Sequence, residues 1–338
     1  MESSSEDRSD LDSSGVLIHE SEFYKDALVK LGPKWTDLIH FYPEFGTPDQ
    51  YTIRKKVGRG RFSTVYLAHN EKGEKVAIKA LVPIDIRKYI KEIKILKNLY
   101  GHPNIVRLLD LVQDPCTKSF SFIFEWVEIQ KWRETYYLFT LDDIRYYMRQ
   151  LLEGLEYAHS HGIIHRDIKP ANIGIDLKRR TLKILDWGLA EFYVPGKRIN
   201  PHAGTRAYLS PEQMIGYPYL DYAVDIWAAG LVFSIMLFNR IIIEPKKNAY
   251  EQLINMGCFI GGKKVVSLVA DFELPIDKRL YKALLKVEGC GLQRYIDTAD
   301  QEKCTPEAID LVSKMLKADF RFRISASDAL KHPFFNKK

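Results

Sequence analysis

Alternating apolar and polar positions predict an antiparallel sheet early in the chain. Between Tyr51 and Ala80 three segments alternate with a period of two, separated by turn-forming residues. Two more strands are predicted at Ile105–Gln113 and Phe120–Val127. Pro83–Leu99 instead has apolar residues at helical spacing, with its proline near the first turn, where a helix needs no N–H donor. The pattern therefore predicts five strands and one helix in this part of the chain.

After Tyr136 the apolar spacing becomes helical. Leu141–His161 is amphipathic, and Tyr222–Phe238 becomes wholly apolar, as expected of a central buried helix. A hairpin is predicted from strands near 173–175 and 182–185. Later helices are predicted at Ala249–Asn255, Leu280–Leu285, Thr305–Leu316 and Ala326–Leu330. The fold class is α+β: a small antiparallel-sheet lobe with one main helix, a connector near Val127 and a larger, mainly helical lobe.

This organisation divides the chain into four regions. Residues 1–15 are acidic and serine-rich, which predicts a disordered tail. Residues 16–50 carry too many aromatic residues, Trp35 among them, for a free tail, so we expect this segment to pack on the body of the protein. Residues 51–127 then form the small lobe and residues 128–335 the larger one.

Composition limits the class of protein. The 338 residues exceed the roughly 150 of a usual domain, and 46% of them are apolar, enough for two lobes with full cores. Four widely separated cysteines argue against a zinc site or a disulfide framework and favour a reducing compartment, the cytoplasm or the nucleus. The amino terminus resembles neither a signal nor a transit peptide. Ile226–Phe238 is too short to cross a bilayer, so we expect no membrane association.

The net charge of +6 is unevenly distributed, because the first 14 residues are acidic. The body is correspondingly basic, which suits a polyanionic partner, although solvated lysines on surface helices give the same balance. The lysines are dispersed and no nucleic-acid motif is present, so we expect no direct nucleic-acid binding. Acidic protein segments remain as partners.

The segment His165–Asn172 carries the candidate chemistry. Asp167 can accept the proton of an attacking alcohol, Lys169 can offset charge on a moving phosphoryl group, and Asn172 can ligate magnesium. A second carboxylate, Asp186, follows the strand near 182–185. A chance charge cluster would look the same, but matched parts stand before and after it.

The matched parts upstream are a glycine-rich turn, a lysine and a glutamate. Gly58 and Gly60 stand where a tight turn can bring main-chain groups near a ligand. Lys79 ends an apolar strand, and Glu92 lies within the helix that follows. Each could be an ordinary surface residue, but the order of strand and helix favours an ion pair that aims Lys79 at nucleotide phosphates.

Together these residues resemble a protein kinase. The resemblance implies ATP and Mg²⁺ as cofactors, with Asp167, Lys169, Lys79 and Glu92 as catalytic residues and Asn172 and Asp186 as metal ligands. Phe124 would guard the back of the adenine pocket, and Glu125 and Val127 would offer main-chain groups to the base. The implied nucleotide-binding residues are Val57, Gly58, Arg59, Gly60, Val65, Ala77, Lys79, Phe124, Glu125, Val127, Asn172 and Asp186.

An alternative reading is a pseudokinase-like scaffold, which binds nucleotide and partners with little catalysis. Such a scaffold typically lacks one of the ligands named above. None of them is missing here, which argues for the enzyme.

Within the kinases, the run Asp186-Trp187-Gly188-Leu189-Ala190-Glu191-Phe192-Tyr193 is similar to the casein kinase II catalytic (alpha) subunit, and the likeness extends from about Trp35 to Phe335. It implies a constitutively active, non-specific serine/threonine kinase that prefers protein substrates with acidic residues after the serine or threonine. It also implies a regulatory beta-subunit as a partner and an amino-terminal segment that packs against the activation segment, the residues between Asp186 and Pro211.

The chain departs from that family near the substrate and in the purine pocket. Of three basic residues that the family uses near the substrate's next position, only Arg206 remains, the others being His202 and Leu209. Gly174 and Ala77 replace larger purine-pocket residues, which leaves the use of GTP open. The residues expected to face the substrate are Arg87, Lys88, Lys91, Arg206 and Thr205, the last beside the catalytic aspartate.

The sequence of the activation segment predicts how this segment is regulated. Residues 191–203 contain no serine or threonine, and their only hydroxyl belongs to Tyr193. We therefore expect a loop ordered by packing and not by a serine or threonine phosphate. Ser3, Ser4 and Ser9 each precede an acid by three positions, which resembles the family's substrate pattern and predicts autophosphorylation of the tail.

Overall fold

A five-stranded antiparallel sheet forms the small lobe. In this computed structural model, which describes residues 11–60, 63–82 and 86–336, the strand order is β1-β2-β3-β5-β4. The strands are β1 Tyr51–Arg59, β2 Ser63–Asn70, β3 Lys75–Leu81, β4 Leu108–Gln113 and β5 Phe120–Glu125. Each predicted strand of this lobe is present, and every neighbouring pair is antiparallel.

The larger lobe is mainly helical, as predicted, and holds two short antiparallel strand pairs, of which β7–β8 is the predicted hairpin. Its strand pairs are β6 Ile163–Ile164 with β9 Glu191–Phe192, and β7 Ile173–Asp176 with β8 Thr181–Ile184. Numbered in chain order, the helices are α1 Ala27–Leu31, α2 Ile90–Asn98, α3 Trp132–Thr135, α4 Leu141–Ser160, α5 Pro211–Met214, α6 Ala223–Phe238, α7 Ala249–Ile260, α8 Gly262–Asp271, α9 Lys278–Leu284, α10 Gln293–Ile296, α11 Pro306–Met315 and α12 Ala326–Leu330. The chain therefore has the bilobal α+β fold expected from its pattern.

Two helices form the core of the larger lobe. At the start of α4, Thr140 and Asp143 form a capping box, in which each side chain accepts the main-chain N–H of the other. Helix α6 is buried from Val224 to its last residue, and it ends at Asn239 in the left-handed conformation. No single helix in the described ranges is long and apolar enough to cross a membrane. Helices α7 and α8 reach the length and apolar composition of a membrane span only when taken together, and they are bent by 110° relative to each other.

The two lobes are joined along one edge. Strand β4 was predicted to start at Ile105 but starts three residues later, because the chain there turns toward the larger lobe. Ile105 forms a parallel bridge with Ile184, and the N–H of Val106 donates to the Ile184 carbonyl at 3.1 Å. Nearby, the Lys183 ammonium lies 2.8 Å from the carboxylate of Glu125 at the end of β5. These contacts fix the connector that starts after β5.

The main helix of the small lobe is shorter than predicted. Helix α2 follows a 3₁₀ turn at Ile86–Lys88 and buries Ile93, Ile95 and Leu96 against the sheet side of the lobe. Residues 83–85, with which the predicted helix began, lie outside the described residues. Glu92 is also buried, which places a carboxylate inside the lobe.

Helix α8, which begins at Gly262, was not among the predicted helices. In the structure Gly261 and Gly262 make the corner between α7 and α8. Gly261 has a φ of +99°, and a Cβ on Gly262 would lie 1.9 Å from the Leu284 carbonyl oxygen. Only glycine allows this close approach, so the pair joins two helices.

The segment 16–50 lies along the body of the protein. The N–H of Ser21 donates to the Tyr193 hydroxyl at 2.7 Å, and the Trp35 indole donates to the His161 carbonyl at 3.1 Å. Further along, Gly46 pairs with the edge of β4 at Val112. The segment thus contacts both lobes.

The predicted disordered tail is too long at its carboxyl end. Asp12 accepts hydrogen bonds from Arg198 at 2.6 Å and from the Tyr219 hydroxyl at 2.5 Å, and Leu11 bridges Leu17. Residues 11–15 therefore form a turn held to the body, because the hydrogen bonds to the half-buried Asp12 carboxylate outweigh their polar composition. Residues 1–10, with the three tail serines, lie outside the described residues.

A buried ion pair ties α5 to the end of the chain. The Arg323 guanidinium donates to the Glu212 carboxylate through two bonds of 2.7 and 2.9 Å, and both side chains are almost fully buried. The same guanidinium donates to the carbonyl of Ala223 at 2.8 Å, at the start of α6. Removing the arginine would leave a carboxylate buried and unpaired.

We expect Arg323→Met to lower the free energy of unfolding by about 3–5 kcal/mol, measured by urea denaturation. The matched control is Arg321→Met. Arg321 is partly exposed and pairs with Asp319 and Asp271, so its loss should cost no more than about 1 kcal/mol. Equal losses for the two variants would contradict the structural role assigned to Arg323.

Candidate active site

The catalytic loop is held by a buried carboxylate beneath it. Asp225, in the first turn of α6, accepts the N–H groups of His165 and Arg166, each at 2.8 Å, and lies 3.0 Å from Nε2 of His159. Burial alone would raise the pKa of Asp225, but the hydrogen bonds and the His159 contact hold that pKa below its ordinary value. Arg166 has a φ of +70°, a conformation that the hydrogen bond from its N–H to Asp225 helps to maintain.

Asp167 lies at the centre of a hydrogen-bond network. Its Oδ2 accepts from the Lys169 ammonium at 2.6 Å and from the Asn172 amide at 3.0 Å. Its Oδ1 accepts from the N–H and the hydroxyl of Thr205, at 2.9 and 2.6 Å. Lys169 also donates to the Thr205 hydroxyl at 2.6 Å. The structure thus brings these four predicted residues together and fixes the orientation of the carboxylate.

A second cluster joins the two lobes across the cleft. The Lys79 ammonium on β3 lies 2.8 Å from Glu92 on α2 and 2.9 Å from Oδ1 of Asp186. Trp187, which follows Asp186, is buried and meets the ring of His165 edge-on at 4.6 Å. The buried indole therefore anchors the segment that presents Asp186 to the cleft.

The pKa values of this cluster reflect burial and charge acting in opposite directions. Burial alone would lower the pKa of Lys79, but the Glu92 and Asp186 carboxylates raise it above its ordinary value. Burial alone would raise the pKa of Asp186, and the Lys79 ammonium lowers it below its usual range. At neutral pH the cluster therefore contains an ammonium and an ionised Asp186.

Asn172 and Asp186 fit a magnesium ion bound together with phosphates. The Asn172 NH₂ donates to the carbonyl and side chain of Asp167, which leaves the amide oxygen as the available ligand. The Asp186 side chain is 52% exposed, so it can reach a cation in the cleft. Among the described residues no group of three or more His, Cys, Asp or Glu side chains could hold a metal by itself. A hard cation here needs further oxygens, such as those of a nucleotide.

The predicted nucleotide site lines the small-lobe side of the same cleft. Gly58 and Arg59 pair with Val65 and Thr64 of β2, and the N–H of Gly60 donates to the Ser63 carbonyl at 2.8 Å, which closes the turn. Arg61 and Phe62, at the tip, lie outside the described residues. In the sheet Val65 is opposite Lys79, Ala77 is opposite Phe124, and Val57 is exposed on β1.

The connector after β5 has one feature that the sequence did not predict. The N–H of Glu125 donates to the Arg107 carbonyl at 3.1 Å, so only the carbonyl of Glu125 remains for a ligand. Its side chain pairs with Lys183 and Arg107. Phe124 is buried behind the cleft, as expected of a residue at the back of the pocket.

Because Gly174 has no side chain, an open space was expected at the floor of the predicted purine pocket, but another side chain fills that space. A Cβ on Gly174 would lie 2.7 Å from Cγ1 of Val127 and 3.3 Å from Cδ1 of Leu185. The Val127 side chain therefore occupies the space above the glycine. The absence of a side chain on β7 lets the connector approach that strand more closely.

The residues predicted to face the substrate have different surroundings. Thr205 contacts Asp167, and Arg206, which is exposed, donates to the carbonyls of Lys246 and Lys247. Arg87 is exposed on the 3₁₀ turn before α2, and the side chain of Lys88 lies outside the described part of the structure. Sequence reasoning alone could not separate these cases.

Lys91 is the clearest correction among them. Its ammonium lies 2.6 Å from Oε2 of Glu191 on β9, so its charge is neutralised by this chain and not reserved for a substrate acid. The pair ties α2 to the activation segment. Spacing alone could not reveal it, because the partners are 100 residues apart.

Arg166 is a functional residue whose role the sequence analysis missed. Its guanidinium donates to the carbonyl oxygen of Asn200 and, at 3.5 Å, to that of Leu189, both in the activation segment. Burial lowers its pKa, opposed by the Glu191 and Asp225 carboxylates. Its position before Asp167 was the available signal, but the acceptors are main-chain atoms, which no sequence motif identifies.

Comparison with known families covers most of the chain. Residues 51–335 match the family model described as the protein kinase domain. The match begins at β1 and ends with the 3₁₀ turn Pro333–Phe335, so it includes both lobes and every element of the site described above.

We expect Lys91→Glu to lower the rate of phosphoryl transfer about tenfold, which corresponds to about 1.4 kcal/mol, because α2 loses its tie to the activation segment. The exchange Lys91→Glu with Glu191→Lys should recover most of this loss, measured as kcat at saturating nucleotide. Lys97→Glu, on the same helix but lying over the Phe41 ring, is the control and should change kcat little. Failure of the exchange to recover activity would refute the pairing role.

We expect Gly174→Ala to raise the KM for ATP several-fold, because the new methyl group would displace the Val127 side chain and with it the connector. The double variant Gly174→Ala with Val127→Ala should return toward the wild-type KM. Val127→Ala alone serves as the reference for loss of the valine. An unchanged KM in Gly174→Ala would show that the connector does not depend on this contact.

Proposed function

The chain belongs to the protein kinase family, and from that premise we propose that it is a constitutively active serine/threonine kinase that prefers acidic protein substrates. The observation that carries the proposal is the network around Asp167, because the side chains of Lys169, Asn172 and Thr205 all donate hydrogen bonds to its carboxylate. Phosphoryl transfer is mainly positioning and charge stabilisation, so an assembled network supports catalysis.

In the proposed mechanism Asp167 orients the substrate hydroxyl and accepts its proton. Lys169 offsets charge on the phosphoryl group, while Lys79, held by Glu92, contacts the nucleotide phosphates. Magnesium bound to Asn172 and Asp186 would neutralise phosphate charge. The specificity for serine and threonine and the acidic preference are supported by the resemblance to the casein kinase II catalytic subunit, in which these motifs have matching residues.

Constitutive activity is supported by how the activation segment is held. Nη1 and Nη2 of Arg166 donate to main-chain carbonyls, where an unpaired arginine would need a phosphate, while its buried Nε has no partner among the described residues. Tyr193, the only hydroxyl in residues 191–203, is buried and accepts the N–H of Ser21, and burial raises its pKa. The segment is therefore ordered by packing, with the amino-terminal segment against it.

We also propose a beta-subunit partner from the resemblance and a cytoplasmic or nuclear location from the unpaired spacing of the cysteines, while the use of GTP stays open. Val127 above Gly174 gives the purine pocket a shape of its own, so the choice between ATP and GTP is best measured directly, as the ratio of their kcat/KM values. These measurements use the full chain.

The test of the proposed function is phosphate transfer from radiolabelled ATP to a peptide with acidic residues after a serine. Asp167→Asn should reduce kcat by about 10²–10⁴, the contribution of a positioned base. Asp297→Asn, an exposed aspartate in the larger lobe, is the control and should retain activity. Nucleotide binding without transfer by the wild type would favour the scaffold alternative.

We also expect wild-type enzyme treated with a phosphatase to keep its activity, because groups of the chain itself hold the activation segment: Arg166 donates to the Asn200 carbonyl and Thr205 to Asp167. Mass spectrometry before and after treatment verifies that phosphates were removed. Loss of activity that returns on incubation with ATP would contradict constitutive activity and leave the kinase assignment intact.

A further inference from the structure

The hydroxyl of Tyr89 is a buried donor without a partner. Tyr89 immediately precedes α2, and its side chain is half-buried. The hydroxyl oxygen itself is buried, and no group among the described residues forms a hydrogen bond with it. Buried hydroxyls of this kind are rare, because each has given up its hydrogen bonds to water without replacement. This donor therefore needs an acceptor that the described chain does not supply.

Tyr89 lies beside the ion pair of Lys79 and Glu92. It is three residues before Glu92, a spacing that places two side chains on the same side of a helix. The Tyr89 ring meets the Phe122 ring edge-on, with the ring centroids 6.0 Å apart, and the Lys79 ammonium lies 5.9 Å from the Phe122 centroid. Phe122 is also the residue opposite Lys79 in the pairing of β3 with β5. Tyr89 and Lys79 thus approach the same ring at the buried end of the cleft.

The surrounding charges keep this hydroxyl protonated. Burial raises the pKa of Tyr89, the Glu92 carboxylate raises it further, and the Lys79 ammonium opposes both. At neutral pH the hydroxyl is therefore a hydrogen-bond donor in the field of a charged pair. The pair is itself engaged, since the Lys79 ammonium lies 2.8 Å from Glu92 and 2.9 Å from Asp186.

A phosphate is the acceptor that suits this position. The nucleotide phosphate that reaches the Lys79 ammonium brings several charged oxygens into the same part of the cleft, and these are strong acceptors. A typical hydrogen bond adds little to binding, because it replaces a bond to water. The Tyr89 hydroxyl is already shielded from water, so a bond from it to a phosphate would contribute more of its full strength.

We propose that the Tyr89 hydroxyl donates a hydrogen bond to the nucleotide phosphate contacted by Lys79, which makes Tyr89 a phosphate-binding residue. This inference rests on the proposed function, because it concerns the nucleotide that phosphoryl transfer consumes. The ligand class is a nucleoside diphosphate or triphosphate with Mg²⁺. Tyr89 was not among the nucleotide-binding residues expected from the sequence, since none of the motifs includes it.

The experiment measures the dissociation constants of adenosine and of ATP with Mg²⁺ by calorimetry, for the full-length wild type and for Tyr89→Phe. We expect the variant to bind ATP about tenfold more weakly, as for the loss of one hydrogen bond to a charged group. Adenosine has no phosphate and should bind both proteins equally. An unchanged affinity for ATP, or an equal loss for both ligands, would overturn the inference.

The nucleotide-free protein gives a second readout. Tyr89→Phe should raise its Tm by about 2 °C, because the substitution removes a buried polar group that has no partner. A more stable free protein that binds ATP more weakly cannot result from misfolding. A lower Tm would instead show that the hydroxyl has a partner within the chain, and that result would overturn the inference.

The matched control is Tyr136→Phe. The Tyr136 hydroxyl is also buried and has no partner in the part of the chain that the structure describes, but its ring packs against Trp132 and Phe139 in the larger lobe. Its removal should likewise raise Tm while leaving both dissociation constants unchanged. An equal loss of ATP affinity in this control would show that the effect is not specific to Tyr89 and would overturn the inference.

Failure of the proposed function gives a different pattern. A wild type that binds ATP but transfers no phosphate to any peptide would overturn the proposed function, while the affinities of Tyr89→Phe would still decide the role of the hydroxyl. A wild type that does not bind ATP would overturn both.

Discussion

The site depends on the carboxylate of Asp225, which is buried under the catalytic loop. Ionised groups in a protein interior are stable only when hydrogen bonds replace lost water, and here two main-chain amides and a histidine do so. The arrangement fixes the direction of the loop at Arg166, where the backbone adopts a positive φ. Since Asp167 is the next residue, the geometry of this proposed base follows from a contact made inside the apolar core.

The contacts with the activation segment rest on that geometry. Once Arg166 is oriented, its guanidinium reaches carbonyls of the segment, and Thr205 in turn bonds to Asp167. Lys91 and Glu191 add a link to the small lobe, and Lys79 joins Glu92 to Asp186 across the cleft. The active arrangement is thus a connected set of polar contacts that starts at one helix end.

Much of this was predictable from the sequence, because periodicity and local motifs carry it. The five strands of the small lobe, the helices α4 and α6, and the residues Lys79, Glu92, Asp167 and Asp186 follow from spacing alone or from spacing and motif. Contacts between distant segments were not predictable. Lys91 has the sequence of a surface lysine, and only the folded chain brings it to Glu191; the glycines at 261–262 look like a loop until the neighbouring carbonyl of Leu284 is known. Residues 11–15 show the same limit, since a single acceptor, Asp12, orders a polar stretch.

The contacts that join β4, β5 and β8 determine how the cleft can move. Ile105 and Ile184 are bridged there, and Glu125 is paired with Lys183, so the two lobes share a fixed border beside the connector. We therefore expect the two lobes to move by a hinge rotation about this border, so that displacement grows with distance from it. The glycine turn of β1 and β2 lies at the opposite edge of the sheet, where the displacement is largest. We therefore expect product nucleotide to leave and new nucleotide to enter at this edge, while the contacts of the border stay intact between turnovers.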